Sequence, residues 1–324
     1  MKLDLIFSIG PACRPAYYLK MNFLRTFACP LDWQMNYSLD TCLHMFQTNF
    51  ETFFTDIQED VHRKGAHNNR RIIDTRNSIT SIHHFDSDTP LPDAQAAFRA
   101  IMQKRYLQLH TAILRSHVVG LICNREDSLD DLSTFLSSFG QLYTNVNFIL
   151  INIRNTEGLT SACMNEYHLN PKLTIREYSF HDQCLDKKSM EERAWLGNFE
   201  IWNSVLQDYY LSRHPFADYI KDSVSNNRSI HLYGAGIYCH KLIHFLKNHS
   251  LNISNILVTS SENNPDAIEK IPVITCEHIT EQYYDDLIII SVVNSDESLK
   301  IYNLLRSRGI KSVVRIDALL RIIS

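Results

Sequence analysis

The sequence predicts an α/β protein in two parts: an N-terminal α/β domain with a largely parallel sheet, and a smaller C-terminal α/β domain. Short apolar runs alternate with helical patterns along both halves. The alternation breaks at the polar run Asp222-Ser223-Val224-Ser225-Asn226-Asn227-Arg228-Ser229 and then restarts. With 324 residues the chain is long enough for two cores. The expected domains are 1–222 and 229–324.

In the N-terminal part, Leu3 to Phe7 reads as a strand that Gly10 and Pro11 terminate, and a helix is expected from near Cys13 through Ala16, Leu19 and Phe23. Residues 55 to 80 are polar and rich in Asn and Arg, and read as a surface loop, with Ser78 to Phe85 as a short strand at its end. Pro90-Leu91-Pro92-Asp93 opens a long helix whose apolar stripe is expected at Ala97, Ile101, Leu107, Ile113 and Leu114. Val118 to Cys123, Val146 to Ile153 and Leu173 to Tyr178 are expected strands, with a helix over Leu129 to Phe139. Residues 189 to 223 read as mostly helical, with Trp195, Trp202, Leu206 and Tyr210 as core contacts.

In the C-terminal part, Ile230 to Tyr233, Ile256 to Thr259, Val273 to Thr275, Leu287 to Val292 and Ser312 to Ile316 are expected strands. Helices fit between several of them, notably to about Lys247 and over Glu297 to Arg308.

Composition narrows the function classes. Hydrophobic residues at 44% and charged residues at 21% are ordinary for a soluble globular protein. A net charge of −4 provides no field to draw the chain to nucleic acid or an anionic membrane. No run approaches the ~20 apolar residues of a membrane span. The eight cysteines form no Cys-x-x-Cys pair, so no metal site is expected, and scattered thiols suit a reducing compartment. The apolar run in Met1 to Phe7 is short for a signal peptide and Asp4 interrupts it, so a cytoplasmic location is expected.

The chemistry-bearing run is Ser8-Ile9-Gly10-Pro11-Ala12-Cys13-Arg14. A cysteine in the first turn of a helix sits among unpaired backbone N–H groups, whose partial positive charge favours thiolate. Arg14 adds a full charge next door, so Cys13 is expected to have a lowered pKa and to act as a nucleophile. The other reading is a small buried apolar residue.

Ser8, Gly10, Cys13, Leu24-Arg25 and Pro30-Leu31-Asp32-Trp33 together resemble the opening pattern of a bacterial family of papain-like cysteine peptidases (domain of unknown function 1796). That pattern is Ser-x-Gly-x-x-Cys, a helix, Leu-Arg, then Pro-Phe-Asp-Trp; Leu31 replaces its Phe. Asn49-Phe50-Glu51-Thr52-Phe53-Phe54 is similar to the family's Phe-rich helix, and Ile82-His83-His84-Phe85 to its His motif, where His-Asp-Phe is commoner. Trp195-Leu196-Gly197-Asn198 with Trp202 is similar to its closing Trp-x-Gly pattern. The resemblance spans residues 3 to 205 and implies a cysteine-dependent hydrolase or acyl transferase acting on a peptide, amide or ester.

A cysteine nucleophile needs a base, and the base needs an orienting group. His83 matches the His motif and is the expected base, with His84 as the alternative. Adjacent residues on a strand face opposite ways, so only one of the two can reach Cys13. Asp32, shielded by Trp33, is the expected third member, and Asp86 the alternative. Backbone N–H groups at the start of the Cys13 helix are the expected oxyanion donors. This chemistry requires no cofactor.

The run Tyr233-Gly234-Ala235-Gly236-Ile237-Tyr238-Cys239 fits the first two glycines of a dinucleotide fingerprint, and the surrounding pattern resembles a Rossmann-like domain. Gly234 and Gly236 are the expected contacts for a nucleotide or nucleotide-sugar. Cys239 stands at the third glycine position, and no acid ends the second strand, where Glu262 comes late. Both departures disfavour an NAD-dependent oxidoreductase. The competing functional class is a non-catalytic glycan-pathway module that binds a nucleotide-sugar.

Overall fold

The computed structural model describes residues 1–184, 194–224 and 228–322. The chain divides into two compact units, Met1–Leu211 and Ser212–Ser324. The division falls ahead of the polar run at 222–229, of which residues 225–227 lie outside the described residues. Residues 185–193 also lie outside them, and with them the start of the helical stretch expected from 189.

The first unit contains β1 (Lys2–Leu3), β2 (Leu5–Ser8), α1 (Cys13–Met21), β3 (Gln34–Met35), α2 (Leu39–Gln47), β4 (Ile57–Lys64), β5 (Arg70–Asp74) and β6 (Ile79–Ser81). It continues with α3 (Leu91–Leu114), β7 (Val118–Cys123), α4 (Leu129–Leu142), β8 (Asn147–Asn155), β9 (Cys163–Asn170), β10 (Leu173–Phe180), α5 (Phe199–Gln207) and β11 (Tyr210–Leu211). Its main sheet has the order β2-β7-β8-β10-β9 and is parallel except for β9. Side chains alternate across β2. Leu5 and Phe7 pack with Phe46 of α2, Phe98, Met102 and Tyr106 of α3, and Phe135 and Phe139 of α4. Ile6 packs on the other face with Tyr18 and Leu19 of α1 and Trp202 and Leu206 of α5. Helices cover both faces, which is why the parallel strands are almost uninterrupted apolar runs.

Two expectations for this unit are corrected. Residues 55 to 80 are not a loop: β3-β6-β5-β4 form an antiparallel sheet. The α3 stripe is also displaced. Ile101, Leu107 and Leu114 are 50%, 55% and 60% exposed and Ala97 is exposed, whereas Ala94, Phe98, Met102, Tyr106, Leu109 and Ile113 are buried. The buried set keeps helical spacing and carries the larger aromatic and sulfur side chains, which gain more by burial.

The second unit contains α6 (Pro215–Val224), β12 (Ile230–Tyr233), α7 (Ile237–Asn248), β13 (Asn255–Val258), β14 (Ala267–Ile268), β15 (Ile271–Thr275), β16 (Leu287–Ile290), α8 (Ser295–Ser307), β17 (Ser312–Arg315) and α9 (Ile316–Ile322). Its sheet has the order β14-β15-β13-β12-β16-β17, parallel except for the short edge strand β14. The order reverses at β12, the first strand of the unit, which lies between β13 and β16. Among the described residues no helix is long and apolar enough to cross a membrane.

Candidate active site

Ser8 is the last residue of β2, and the chain turns through Gly10 and Pro11 into α1, so that Cys13 stands at the carboxyl end of the parallel sheet. Gly10 allows a close turn: a Cβ there would lie 3.0 Å from Ala12 O and 3.2 Å from Ser8 Oγ. Ala12 is the N-cap and supplies no side-chain oxygen to the first-turn amides. Pro15 fits because the first turn needs no donor from it.

The histidines arrive from the antiparallel sheet. After β6 the chain bends through residues 82–84. Ala66 N donates to Ile82 O at 2.7 Å, which docks the β4–β5 loop beside His83. Gly65 makes this approach possible, since a Cβ there would lie 2.5 Å from Asn69 O and 2.8 Å from Ile82 O.

His83 Nε2 lies 3.5 Å from Cys13 Sγ, across 70 residues of sequence. The Trp33 ring packs edge-on against His83, with centroids 5.6 Å apart. Trp33 therefore covers the imidazole. Burial lowers the His83 pKa, and nearby His67 lowers it further. His84 turns elsewhere: its Nδ1 is 3.1 Å from Ser81 Oγ and 3.4 Å from Gln34 Nε2. Burial pushes His84 down to about 3, aided by the charges of Arg105 and His83.

The expected lowering of the Cys13 pKa is corrected. Burial pushes the thiol up to about 11, because Cys13 is only 9% exposed and a thiolate there loses most of its water. The bond from its own backbone N–H acts against this, and Asp32 adds to it. Arg14 turns away from the sulfur, pairing with Asp182 through Nη1 and donating from Nε to Trp195 O at 2.6 Å. Burial thus favours the uncharged form of both groups, the thiol of Cys13 and the imidazole of His83.

The two aspartates expected to orient His83 are engaged elsewhere. Asp32 is buried, 3.0 Å from Arg25 Nη2, and accepts from Cys29 N at 2.7 Å. Its pKa is raised by burial even so, with Arg25 and the Cys29 bond opposing the rise. Asp32 thereby neutralises a buried guanidinium and closes the turn that presents Trp33. Asp86 is exposed and caps its own turn, accepting from Asp88 N at 2.7 Å.

The Phe-rich segment is also corrected. Residues 49–54 form turns after α2, with Asn49, Phe50 and Phe54 at positive φ, and Phe50, Phe53 and Phe54 are buried. Trp195 is 44% exposed and is not a core residue, whereas Trp202 and Leu206 are buried and Tyr210 is half-buried.

At the second junction, Gly234 has φ +103° and donates from N to Leu257 O at 2.8 Å. Gly236 is the N-cap of α7, and a Cβ there would meet nothing within 4 Å. Cys239 is fully buried in the first turn of α7, at the position of a third glycine. Thr259, at the end of the second strand, is engaged by Tyr233 Oη at 2.8 Å.

A buried cysteine at a helix start thus lies within contact of an imidazole. Residues 4–121 match the model of one family, described as "Putative papain-like cysteine peptidase" (domain of unknown function 1796). The match includes Cys13, Asp32, Trp33 and His83 and ends within β7, short of the Trp195–Asn198 segment. No curated protein and no solved structure matches the chain.

Proposed function

We propose that the N-terminal unit is a cysteine-dependent hydrolase or acyl transferase whose reacting groups are Cys13 and His83. The observation that carries this is the 3.5 Å approach of Sγ to Nε2. As Sγ attacks the carbonyl of a peptide, amide or ester, Nε2 takes the thiol proton, and the carbonyl oxygen gains the negative charge. Amides in the first turn of α1, which no side chain of Ala12 caps, would donate to it. Collapse of the adduct expels the amine or alcohol, which receives the proton from Nε2 and leaves a thioester on Cys13. Water then gives hydrolysis, and another nucleophile gives transfer. Asp32 holds the Trp33 turn through Arg25 and does not touch the reacting pair. Free thiols at all eight cysteines agree with work in a reducing, cytoplasmic setting.

The test is acylation by p-nitrophenyl acetate, read by intact mass and peptide mapping. One acetyl group on Cys13 is expected, with no acetyl at that position in Cys13→Ala. An acetyl group on another cysteine, with Cys13 unmodified, would overturn the reading.

For the second unit we infer a nucleotide or nucleotide-sugar module. The open space over Gly236, at the carboxyl edge beside the strand where the order reverses, favours this. Calorimetric titration with NAD, ATP and UDP-sugars is expected to give binding that Gly236→Val abolishes. If nucleotide-sugar binds and Cys13 cannot be acylated, the non-catalytic glycan-pathway reading takes over. If no ligand of the panel binds, the module reading fails.

A further inference from the structure

The Cys13–His83 approach joins two elements that have separate supports. His83 lies in the bend that follows β6 of the antiparallel sheet, whereas Cys13 opens α1, a nine-residue helix with no side-chain cap. A helix this short depends on packing to hold its place. Its first turn is tied down by the residue after the nucleophile.

Arg14 Nη1 pairs with Asp182, which follows β10, and Arg14 Nε donates to Trp195 O at 2.6 Å. The Asp182 side chain is 3% exposed. Its Oδ1 accepts from Asn198 N and from Trp202 Nε1, both at 2.9 Å, and its own N donates to Asn155 Oδ1 at 2.8 Å. Gly197 closes over the pair at φ +65°; a Cβ there would lie 2.0 Å from Asp182 Oδ1 and 2.8 Å from Arg14 Nη1. One turn further along α1, Tyr18 donates to Leu196 O at 2.9 Å and stacks on Trp202 at 4.7 Å.

We propose that the Arg14–Asp182 pair, sealed by Gly197, is a positioning device that holds the start of α1 so that Cys13 Sγ stays within reach of His83. This rests on the Cys13–His83 reading above. It gives a role to a segment outside the matched residues 4–121. It also accounts for an arginine beside the nucleophile that does not lower the thiol's pKa. Arg14 is used for geometry, and displacement of a reacting atom by about 1 Å is enough to cost a large part of the rate.

The experiment is a double-mutant cycle on full-length protein, read as the iodoacetamide alkylation rate of Cys13 by peptide mass mapping. His83→Ala should slow alkylation about tenfold in the wild-type background, and less than about twofold in Asp182→Asn or Arg14→Gln, where the pair has already separated. Arg14→Lys keeps the ion pair and should retain most of the His83 dependence. A purely structural clamp would lower melting temperature yet leave the His83 effect at about tenfold in every background, which would overturn the proposal. Absence of a His83 effect in the wild type would overturn the Cys13–His83 reading itself, and this one with it. Should Asp182→Asn fail to fold, Arg14→Gln carries the measurement, because its partially exposed side chain leaves the Asp182 bonds to Asn198 and Trp202 in place.

Discussion

At one junction the chain runs from Ser8 through Gly10 into α1 and Cys13; at the other it runs from Tyr233 through Gly234 and Gly236 into α7 and Cys239. Both leave a parallel strand at its carboxyl end, and both put a cysteine in the first turn of the following helix. The N-terminal junction is packed. Gly10 is hemmed in by Ala12 and Ser8, and Cys13 faces an imidazole brought from another sheet. The C-terminal junction is open above Gly236, and Cys239 is fully buried, which pushes its thiol up to about 12. A helix start alone therefore makes neither a nucleophile nor a ligand site. The groups delivered from elsewhere in the fold distinguish the two.

The largest expected effect separates the two cysteines. His83→Ala should slow acetylation of Cys13 by about 10²–10⁴-fold, the usual value of a general base. Cys239→Ala should leave that rate unchanged, as measured by mass spectrometry over a time course. An equal loss from Cys239→Ala would mean that the two junctions are not chemically distinct.

Packing provides the next contrast. Gly10→Val must displace the Ala12 backbone, at a cost of about 1–3 kcal/mol, and should also reduce Cys13 alkylation. Gly236→Val projects into open space and should leave the melting profile unchanged. Differential scanning calorimetry of the two variants checks this. Equal destabilisation would show that the second junction is closed.

Much of this contrast was legible in the residues. The apolar runs of β2, β7, β8 and β12, the Gly10 turn, Cys13 at a helix start and the nearness of His83 rather than His84 to it follow from pattern and motif. The antiparallel sheet that leads into His83 did not, because β4 exposes Val61, His62, Arg63 and Lys64 in succession, leaves Glu59 and Asp60 half-buried, and forms a strand by pairing with β5 rather than by burying a face. The partners of Asp32 were not legible for a related reason. Asp32 and Arg25 are seven residues apart in sequence, and nothing in that spacing reveals that the carboxylate neutralises a buried guanidinium instead of an imidazole. The thiol's pKa depends on burial, which a helix position does not specify.

Acid sharpens the comparison between units. His84 in the first unit and His214 in the second are held neutral by burial, at about 3 and about 4, with His249 adding to the effect at His214. Both folded pKa values lie below the unfolded value near 6.5, so each group contributes stability that is present above about pH 6.5 and is lost as pH falls toward its folded pKa. Between pH 6.5 and 4 each should remove about 3 kcal/mol, at most about 1.4 kcal/mol per pH unit. Below pH 4 only the His84 contribution continues. Hydrogen exchange of each unit against pH measures this. His84→Gln should flatten the slope for the first unit alone, and His214→Gln for the second alone; a variant that flattened both would mean that the units share one cooperative transition.

The smallest effect lies within the second junction itself. Gly234 stands at φ +103°, where an L side chain is strained, and a Cβ would come within 3.0 Å of Ser291 Oγ, which donates to Tyr233 O and Gly234 O. Gly234→Ala should therefore cost about 1–3 kcal/mol. Gly236 has φ −80° and ψ −171°, an ordinary extended conformation. Replacing it by Ala restricts the unfolded chain, a gain of about 0.4–1 kcal/mol. Ala is also a poorer N-cap than Gly, a loss of several tenths of a kcal/mol to about 1. The two nearly cancel, so Gly236→Ala should change stability by less than about 0.5 kcal/mol. Urea denaturation followed by exchange in β12 and β13 measures both variants. If Gly236→Ala proved as costly as Gly234→Ala, the space above Gly236 would be occupied by protein, and the nucleotide reading of this junction would lose its support.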